Sequence, residues 1–204
     1  MGGSSQRWQS LFGAGTSEPL VVAGVAIDVS TTCDGMCAWG FTIPSVGGKE
    51  TARDDHVSVD GVDTNFVSAP SSFGDDRFVA IDHVVLNTDD LARTSEAVEA
   101  TLDAPLRRVR DAGRGVSQGF HVVDNTVIEV VSGPHISHAG ARLWGFVVVV
   151  DDILDFAASM GPDVMSVPKP AVQTGRFISS VRAETGLGVP VAFMSPRVRG
   201  GELT

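Results

Sequence analysis

The chain has 204 residues, of which 43% are hydrophobic and 20% are charged, as is typical of a globular protein of one or two domains. Its net charge of −10 argues against nucleic acid and against an anionic membrane as partners, because phosphate groups are bound by clustered Lys and Arg. The longest apolar run near the beginning, Leu20 to Val29, is far shorter than the roughly 20 residues that cross a bilayer. With no targeting pattern around Arg7, these features predict a cytoplasmic protein.

The two cysteines, Cys33 and Cys37, are separated by three residues, and the chain contains no second pair. Neither the spacing nor the number suits a structural zinc site. We expect two reduced thiols.

Residues 1–78 are predicted to form a β-rich segment. Residues 1–19 are rich in Gly, Ser and Thr, which indicates a partly ordered arm. Residues 20–70 alternate apolar and polar side chains in short runs punctuated by Gly and Asp, as strands and turns do, and no helical periodicity precedes residue 90. The Ser- and Asp-rich stretch 68–76 is a plausible boundary. The segment is either a degenerate copy of the unit that follows or a cover for it.

A regular alternation of strands and one helix begins after this boundary. Phe78 to Leu86 is a nearly continuous apolar strand, and Asp89 and Asp90 are suited to the start of a helix, where backbone N–H groups are unpaired. The helix is expected to end before Pro105. Three strands are predicted to follow, at 106–110, 116–123 and 126–132, with the last two joined by a tight turn at Asp124 and Asn125.

The same pattern then occurs a second time. A strand is predicted at 143–150, a helix from Asp151 or Asp152 to Gly161, and strands near 163–167, 175–182 and 189–194. Gly145 lies 62 positions after His83, and the closing strands keep that offset. An internal repeat of this kind determines the architecture.

The repeat predicts an α+β fold made of two paired βαβββ modules, at 79–134 and 143–196, followed by a tail at 197–204. A four-stranded sheet cannot bury its inner face alone, so the two modules are expected to pack together. We expect two curved sheets that face each other across a cleft.

The opening phrase His83-Val-Val-Leu, followed by Asp89-Asp90-Leu91, and the closing phrase Ile128-Glu129-Val-Val with Gly133-Pro134 resemble the vicinal oxygen chelate superfamily, which has the glyoxalase/bleomycin-resistance fold. The resemblance covers residues 79–196 and is closest to the glyoxalase-like proteins of actinobacteria. It does not account for residues 1–78.

The resemblance implies a site in the cleft. In metal-using members of this superfamily, each module supplies a His or Gln from its first strand and a Glu from its last, and together they hold a divalent metal. His83 and Glu129 match these positions in the first module. In the second module, Gly145 stands at the first position, and Val191, or Ala192 after a slip of one residue, stands at the other. The expected cofactor is therefore either a divalent metal on an incomplete site or none.

Other side chains could complete or extend the site. His121 on a neighbouring strand could join a metal, whereas His135 and His138 lie in a Gly/Pro-rich loop without the geometry of a helical zinc pair. Without a metal, His83 and Glu129 are either a general acid/base pair or a hydrogen-bonded pair that only satisfies two buried groups.

Four further residues are candidate ligand contacts. Gln118 either orients a ligand or lies at the rim. Gly145 would open space in the cleft, with Trp144 and Phe146 packed under a helix on the opposite face. Arg176 and Arg182, six residues apart on one predicted strand, either clamp an anionic group or are solvated surface charges.

Three functions remain open from the sequence. The first is a lyase, isomerase or dioxygenase that acts on a small oxygenated molecule, and the second is a metal-free binding protein of the bleomycin-resistance type. The third is an interaction protein, with a homodimer formed through exposed sheet edges. A small-molecule ligand is expected in the first two. Fold alone does not decide among them.

Overall fold

The computed structural model describes residues 3–13, 20–28, 36, 38–42, 57–67 and 76–197. Cys33, Cys37 and most of the predicted boundary 68–76 lie outside these residues. The described strands form one sheet of five and one sheet of eight. None of the described helices is long and apolar enough to cross a membrane.

The smaller sheet contains strands β1 (Leu20–Val22), β2 (Val25–Asp28), β3 (Ala38–Thr42), β4 (Val57–Val59) and β5 (Val62–Val67), in the order β1-β2-β3-β5-β4. Two hairpins close with the two-residue turns Ala23-Gly24 and Asp60-Gly61, in which all four residues have positive φ. Such turns match the natural twist of paired strands, and Gly or Asp adopts the required backbone at little cost. This part of the chain is β-rich, as the alternating pattern predicts.

A helix, α1 (Gly3–Phe12), precedes the smaller sheet. Trp8, Leu11 and Phe12 are buried, and the Phe12 ring lies 5.8 Å from the rings of both Phe146 and Phe193. The expectation that no helix precedes residue 90 is therefore wrong. The three side chains are spaced as one helix face, and their packing against aromatic rings of the second module outweighs the poor helix propensity of the Gly/Ser-rich sequence.

The larger sheet contains both copies of the repeat. The first copy consists of β6 (Phe78–Thr88), α2 (Leu91–Leu102), β7 (Arg108–Gly113), β8 (Val116–Val123) and β9 (Thr126–Ser132). The second consists of β10 (Ala141–Val150), α3 (Ile153–Met160), β11 (Lys169–Pro170), β12 (Phe177–Ser180) and β13 (Val191–Met194). In each copy the first and last strands run parallel. The predicted βαβββ architecture is confirmed.

Carboxylates begin both module helices at equivalent positions. Asp90 Oδ1 accepts a hydrogen bond from the Arg93 N–H at 3.1 Å, and Asp152 Oδ1 accepts from the N–H groups of Leu154 and Asp155 at 2.9 and 3.0 Å. These bonds satisfy donors that have no partner within the helix.

The two modules join edge to edge. Strands β6 and β10 pair antiparallel, so all eight strands form one continuous sheet in the order β11-β12-β13-β10-β6-β9-β8-β7. The modules are therefore not two separate sheets facing each other. Pairing the first strands removes two sheet edges at once. Central strands of this kind are rich in apolar residues, as at Val84 to Leu86 of β6 and Phe146 to Val150 of β10.

A single hydrophobic core lies on one face of this sheet. It includes the fully buried side chains of Val84 and Leu86 on β6, Ile128 on β9 and Val148 on β10, and it continues into Trp39 of the smaller sheet. Gly119 of β8 lies on this face, next to Ser95 and Leu91 at α2. The opposite face, here called the helix-free face, carries the odd-numbered residues His83 to Asn87 of β6 and Val127 to Val131 of β9.

The α1 packing predicts a specific loss of stability. Phe12→Ala removes a ring that is 1% exposed, so we expect the free energy of unfolding to fall by about 3 kcal/mol. Phe177→Ala removes a ring that is 42% exposed and is the matched control, with an expected loss below about 1 kcal/mol. Urea denaturation followed by circular dichroism measures both, and equal losses would contradict a docked helix.

Candidate functional site

His83 and Glu129 lie on the helix-free face of neighbouring parallel strands. His83 pairs with Val127, and Val85 pairs with Glu129, so the imidazole and the carboxylate are offset by two positions along the sheet. Paired residues of adjacent strands point to the same side, and side chains two apart along a strand do too. The geometry therefore places the two groups on one wall, at a separation that a small molecule can bridge.

A β-bulge positions the partner of His83. His83 pairs with Val147 of β10 and Ile81 with Val148, so Asp82 between them has no partner across β10. Asp82 Oδ2 lies 3.0 Å from Nδ1 of His83, an unusual contact between adjacent residues of a strand. A bulge redirects a side chain in this way and is frequent next to functional sites.

Arg176 joins this pair from the second module. Its Nη1 donates to Asp82 Oδ1 at 2.6 Å, and its Nε donates to the Ser195 carbonyl at 2.8 Å. Asp82 is 4% exposed and Arg176 3% exposed. A buried ion pair across the module junction thus fixes the carboxylate that contacts His83.

The charge of Asp82 sets the role of the imidazole. Burial by itself raises the pKa of Asp82, but the hydrogen bonds from His83 and Arg176 together outweigh burial and lower the pKa to about 2. The carboxylate is therefore ionised at neutral pH and accepts a hydrogen bond from the Nδ1–H of His83. In a neutral imidazole this leaves Nε2 as a proton acceptor.

Glu129 is held by a second hydrogen-bond chain. Gln118 Nε2 donates to Glu129 Oε1 at 2.5 Å, and Arg110 Nε donates to Gln118 Oε1 at 2.8 Å. All three residues lie on the helix-free face of β7, β8 and β9. Gln118, considered from sequence as a ligand contact or a rim residue, contacts the Glu129 carboxylate, which lies on the same face as His83.

The second module contributes no matching side chains. Val147, the residue 62 positions after Val85, pairs with Ala192, so Ala192 is the counterpart of Glu129 and Val191 is buried in the core. Gly145 pairs with Val85. A Cβ added to Gly145 would lie 2.5 Å from the Pro190 carbonyl oxygen, so the backbone here leaves no room for a side chain.

The four-ligand metal site of the resemblance does not fit these residues. Among the described residues, no three His, Cys, Asp or Glu side chains converge as a metal site would require. His121 cannot join His83, because it is fully buried on the helix-covered face with Nδ1 2.8 Å from the Ala104 carbonyl. Burial also lowers the pKa of His121. In the loop, His138 Nδ1 lies 3.1 Å from the Gly140 carbonyl.

Arg176 and Arg182 do not form the joint clamp that the sequence left open as one of two alternatives. Arg176 and Arg182 both lie outside β12, which spans only Phe177–Ser180. Arg182 donates to the Pro162 carbonyl at 2.5 Å, at the end of α3, whereas Arg176 is buried against Asp82.

The two aromatic neighbours of Gly145 do not share an environment. Phe146 is 2% exposed and lies 6.2 Å from the Trp8 ring of α1, so it packs under a helix as expected. Trp144 is 47% exposed, because it occupies a second bulge in β10.

Known structures share this architecture. A triple mutant of 4-hydroxymandelate synthase from Streptomyces coelicolor matches 82% of this chain and 72% of its own, with a TM-score of 0.59 and 14% identity. This chain has the vicinal oxygen chelate fold. Residues 76–197 make up about 60% of the chain, so a match over 82% of it also includes part of the segment before residue 76.

Two further structures match a smaller share of the chain. Methylmalonyl-CoA epimerase from Mycobacterium tuberculosis covers 59% of this chain and 90% of its own, with a TM-score of 0.46 and 15% identity. Hypothetical protein BH1468 from Bacillus halodurans covers 60% and 97%, with a TM-score of 0.46 and 14% identity. No protein-family model and no curated protein matches the sequence.

The ion pair across the modules predicts a strong coupling. Asp82→Asn leaves the Arg176 cation buried without a counter-charge, so we expect a loss of about 3 kcal/mol in the free energy of unfolding. Arg176→Met should cost a similar amount. The double variant removes both charges and should cost clearly less than the sum of the two. Additive losses in a urea-denaturation cycle would contradict the pairing.

The lowered pKa of Asp82 predicts a specific acid sensitivity. Because the folded value lies below the ordinary value of 3.8, the stabilisation is fully present above that pH and disappears as the pH falls through about 2. The contribution is about 2 kcal/mol, from about 1.4 kcal/mol per pKa unit. The stability of Asp82→Asn, measured by urea unfolding at successive pH values, should therefore fall less steeply than that of the wild type below pH 4.

Proposed function

We propose that the protein binds a small oxygenated molecule on the helix-free face and that His83 transfers a proton to or from it, as in an isomerase or a lyase. The observation that carries this proposal is the Asp82–His83 contact. It ties Nδ1 of the imidazole to an ionised carboxylate and leaves Nε2 for a ligand on the wall that also carries Glu129. A positioned base or acid of this kind typically contributes a factor of 10² to 10⁴.

Glu129 supplies the second group of the proposed reaction. Its carboxylate is oriented by Gln118 and stands two positions from His83 along the sheet, so the two groups can act on different atoms of one ligand. Val85, Val127 and Val147 lie between or beside them and provide an apolar floor. Such a surface excludes water and strengthens the electrostatic effect of each polar group.

No step of this proposal uses a metal. The second module offers Gly145 and Ala192 at the two positions where the superfamily's metal-using members carry ligands, and neither has a donor atom in its side chain. The proton transfer therefore depends on His83 and Glu129, with Asp82 and Gln118 as positioning residues.

A second function is binding without chemistry, as in antibiotic-sequestering proteins of the bleomycin-resistance type. Gly145 and Ala192 favour it, because neither side chain offers a donor atom to a metal. The net charge of −10 favours a cationic ligand in this case. The two proposals predict the same binding face but differ in the role of His83.

Solvent deuterium exchange separates the two proposals. Candidate α-hydroxy acids, α-keto acids and thioesters are incubated with the protein in D₂O, and deuterium at the carbon next to the carbonyl is followed by NMR. We expect His83→Gln to slow exchange at least a hundredfold and Glu129→Gln to slow it at least tenfold, both with little change in ligand affinity. The exposed loop variant His135→Gln is the control, and a chelator should leave the rate unchanged.

Each result decides between the proposals. Ligand binding by the wild type without any exchange favours the sequestering function. Full exchange in His83→Gln would overturn the proton-transfer proposal, and loss of exchange on chelation would show that a metal does the chemistry.

A further inference from the structure

A second site is indicated where the smaller sheet meets the end of the larger one. A cavity of about 780 Å³ lies between the β1–β2 hairpin, the beginning of β6 and the β8–β9 turn. Its apolar walls include Val25, Phe41, Ala80 and Val149. Asp82 lines it, whereas His83 does not, so the cavity is distinct from the proposed proton-transfer wall. The volume is in the range of small-molecule pockets.

Arg176 also lines this cavity, and one of its nitrogens has no partner. Nε is bonded to the Ser195 carbonyl and Nη1 to Asp82, but Nη2 is buried and no described residue offers it an acceptor. A guanidinium carries five N–H donors, and leaving part of it buried without an acceptor is unfavourable. Such a group in a native fold calls for an oxygen atom from outside the described protein.

The charges around the cavity indicate which oxygen fits. Asp82 is already shared between Arg176 and His83, so it does not satisfy the remaining donors of the guanidinium. Arg197 lines the cavity as a second cation, and Asp124 lines it as the remaining anion. A carboxylate matches the planar donor arrangement of a guanidinium better than a neutral oxygen does.

We propose that this cavity binds a small carboxylic acid with an apolar body, whose carboxylate accepts a hydrogen bond from Nη2 of Arg176. The apolar body lies against Phe41 and Val149. Nη2 is buried beneath the cavity wall, so a small shift of that wall is needed to expose it to the ligand. The bound acid contacts Arg176, Arg176 contacts Asp82, and Asp82 contacts His83. The acid-binding site is therefore linked to the imidazole through the ion pair that orients it.

The test compares a carboxylate with its neutral amide. Hexanoate and hexanamide have the same apolar chain, and isothermal titration calorimetry measures their affinities for the full chain. We expect hexanoate to bind at least tenfold more tightly than hexanamide. Backbone amide shifts in two-dimensional NMR should locate the bound acid at Thr126 and Val149, which line the cavity.

Two variants test the cavity. One leaves the ion pair between Asp82 and Arg176 intact, and the other changes it. Ala80→Phe fills the cavity and leaves Asp82 and Arg176 intact, so hexanoate binding should weaken at least tenfold. Ala112→Phe, at an exposed position of β7, is the matched control and should bind normally. Arg176→Lys keeps the positive charge but removes Nη2, and binding should weaken similarly. If Arg176→Lys does not fold, Ala80→Phe alone decides the test.

The outcomes separate this site from the proton-transfer wall. Hexanoate binding that persists in His83→Gln and is lost in Ala80→Phe supports the proposal. Equal affinity for acid and amide, unchanged binding in Ala80→Phe, or loss of binding in His83→Gln would each overturn it. Because no exchange assay is involved, these results do not depend on whether His83 transfers protons.

Discussion

The antiparallel pairing of β6 with β10 is the constraint on which the rest of the larger sheet depends. It places the first strands of both modules at the centre of the eight-stranded sheet, where each has a paired strand on both of its edges. The same junction contains the bulge at Asp82, and it brings the second module close enough for Arg176 to reach that carboxylate. Sheet assembly and the orientation of His83 therefore have one structural origin.

The two modules have the same architecture but different chemistry on the helix-free face. The first carries the His83 imidazole, which contacts Asp82, and a hydrogen-bonded chain of Arg110, Gln118 and Glu129. The second presents Val147, Ala192 and Met194 at facing positions. A ligand that spans the junction would therefore meet polar groups on one side and apolar groups on the other, which fixes its orientation.

Much of this arrangement could be predicted from sequence because it depends on local periodicity. The offset of 62 residues gives the two modules, the paired aspartates give the helix starts, and strands β8 and β9 have the predicted bounds. The face shared by His83 and Glu129 was implied by the family resemblance, which assigns each residue to a fixed position in its strand.

Features that depend on packing between distant segments could not be predicted in the same way. Alternation along a strand does not show whether two sheets merge, so the single eight-stranded sheet was missed. The Gly/Ser-rich composition concealed α1, whose stability comes from the rings of Phe146 and Phe193. Arg176 lies beyond the end of its strand, where spacing no longer determines direction, and only the structure shows its contact with Asp82.

The close approach of Pro190 to Gly145 has an evolutionary consequence. The Pro190 carbonyl accepts a hydrogen bond from the Phe146 N–H at 3.2 Å, so the main chain of β10 and the segment before β13 are held together at this point. Any side chain at position 145 would clash with that carbonyl oxygen at its Cβ atom, so an imidazole cannot be accommodated there. A metal-ligand side chain at position 145 would thus require remodelling of both segments, and a point mutation alone would not accommodate it.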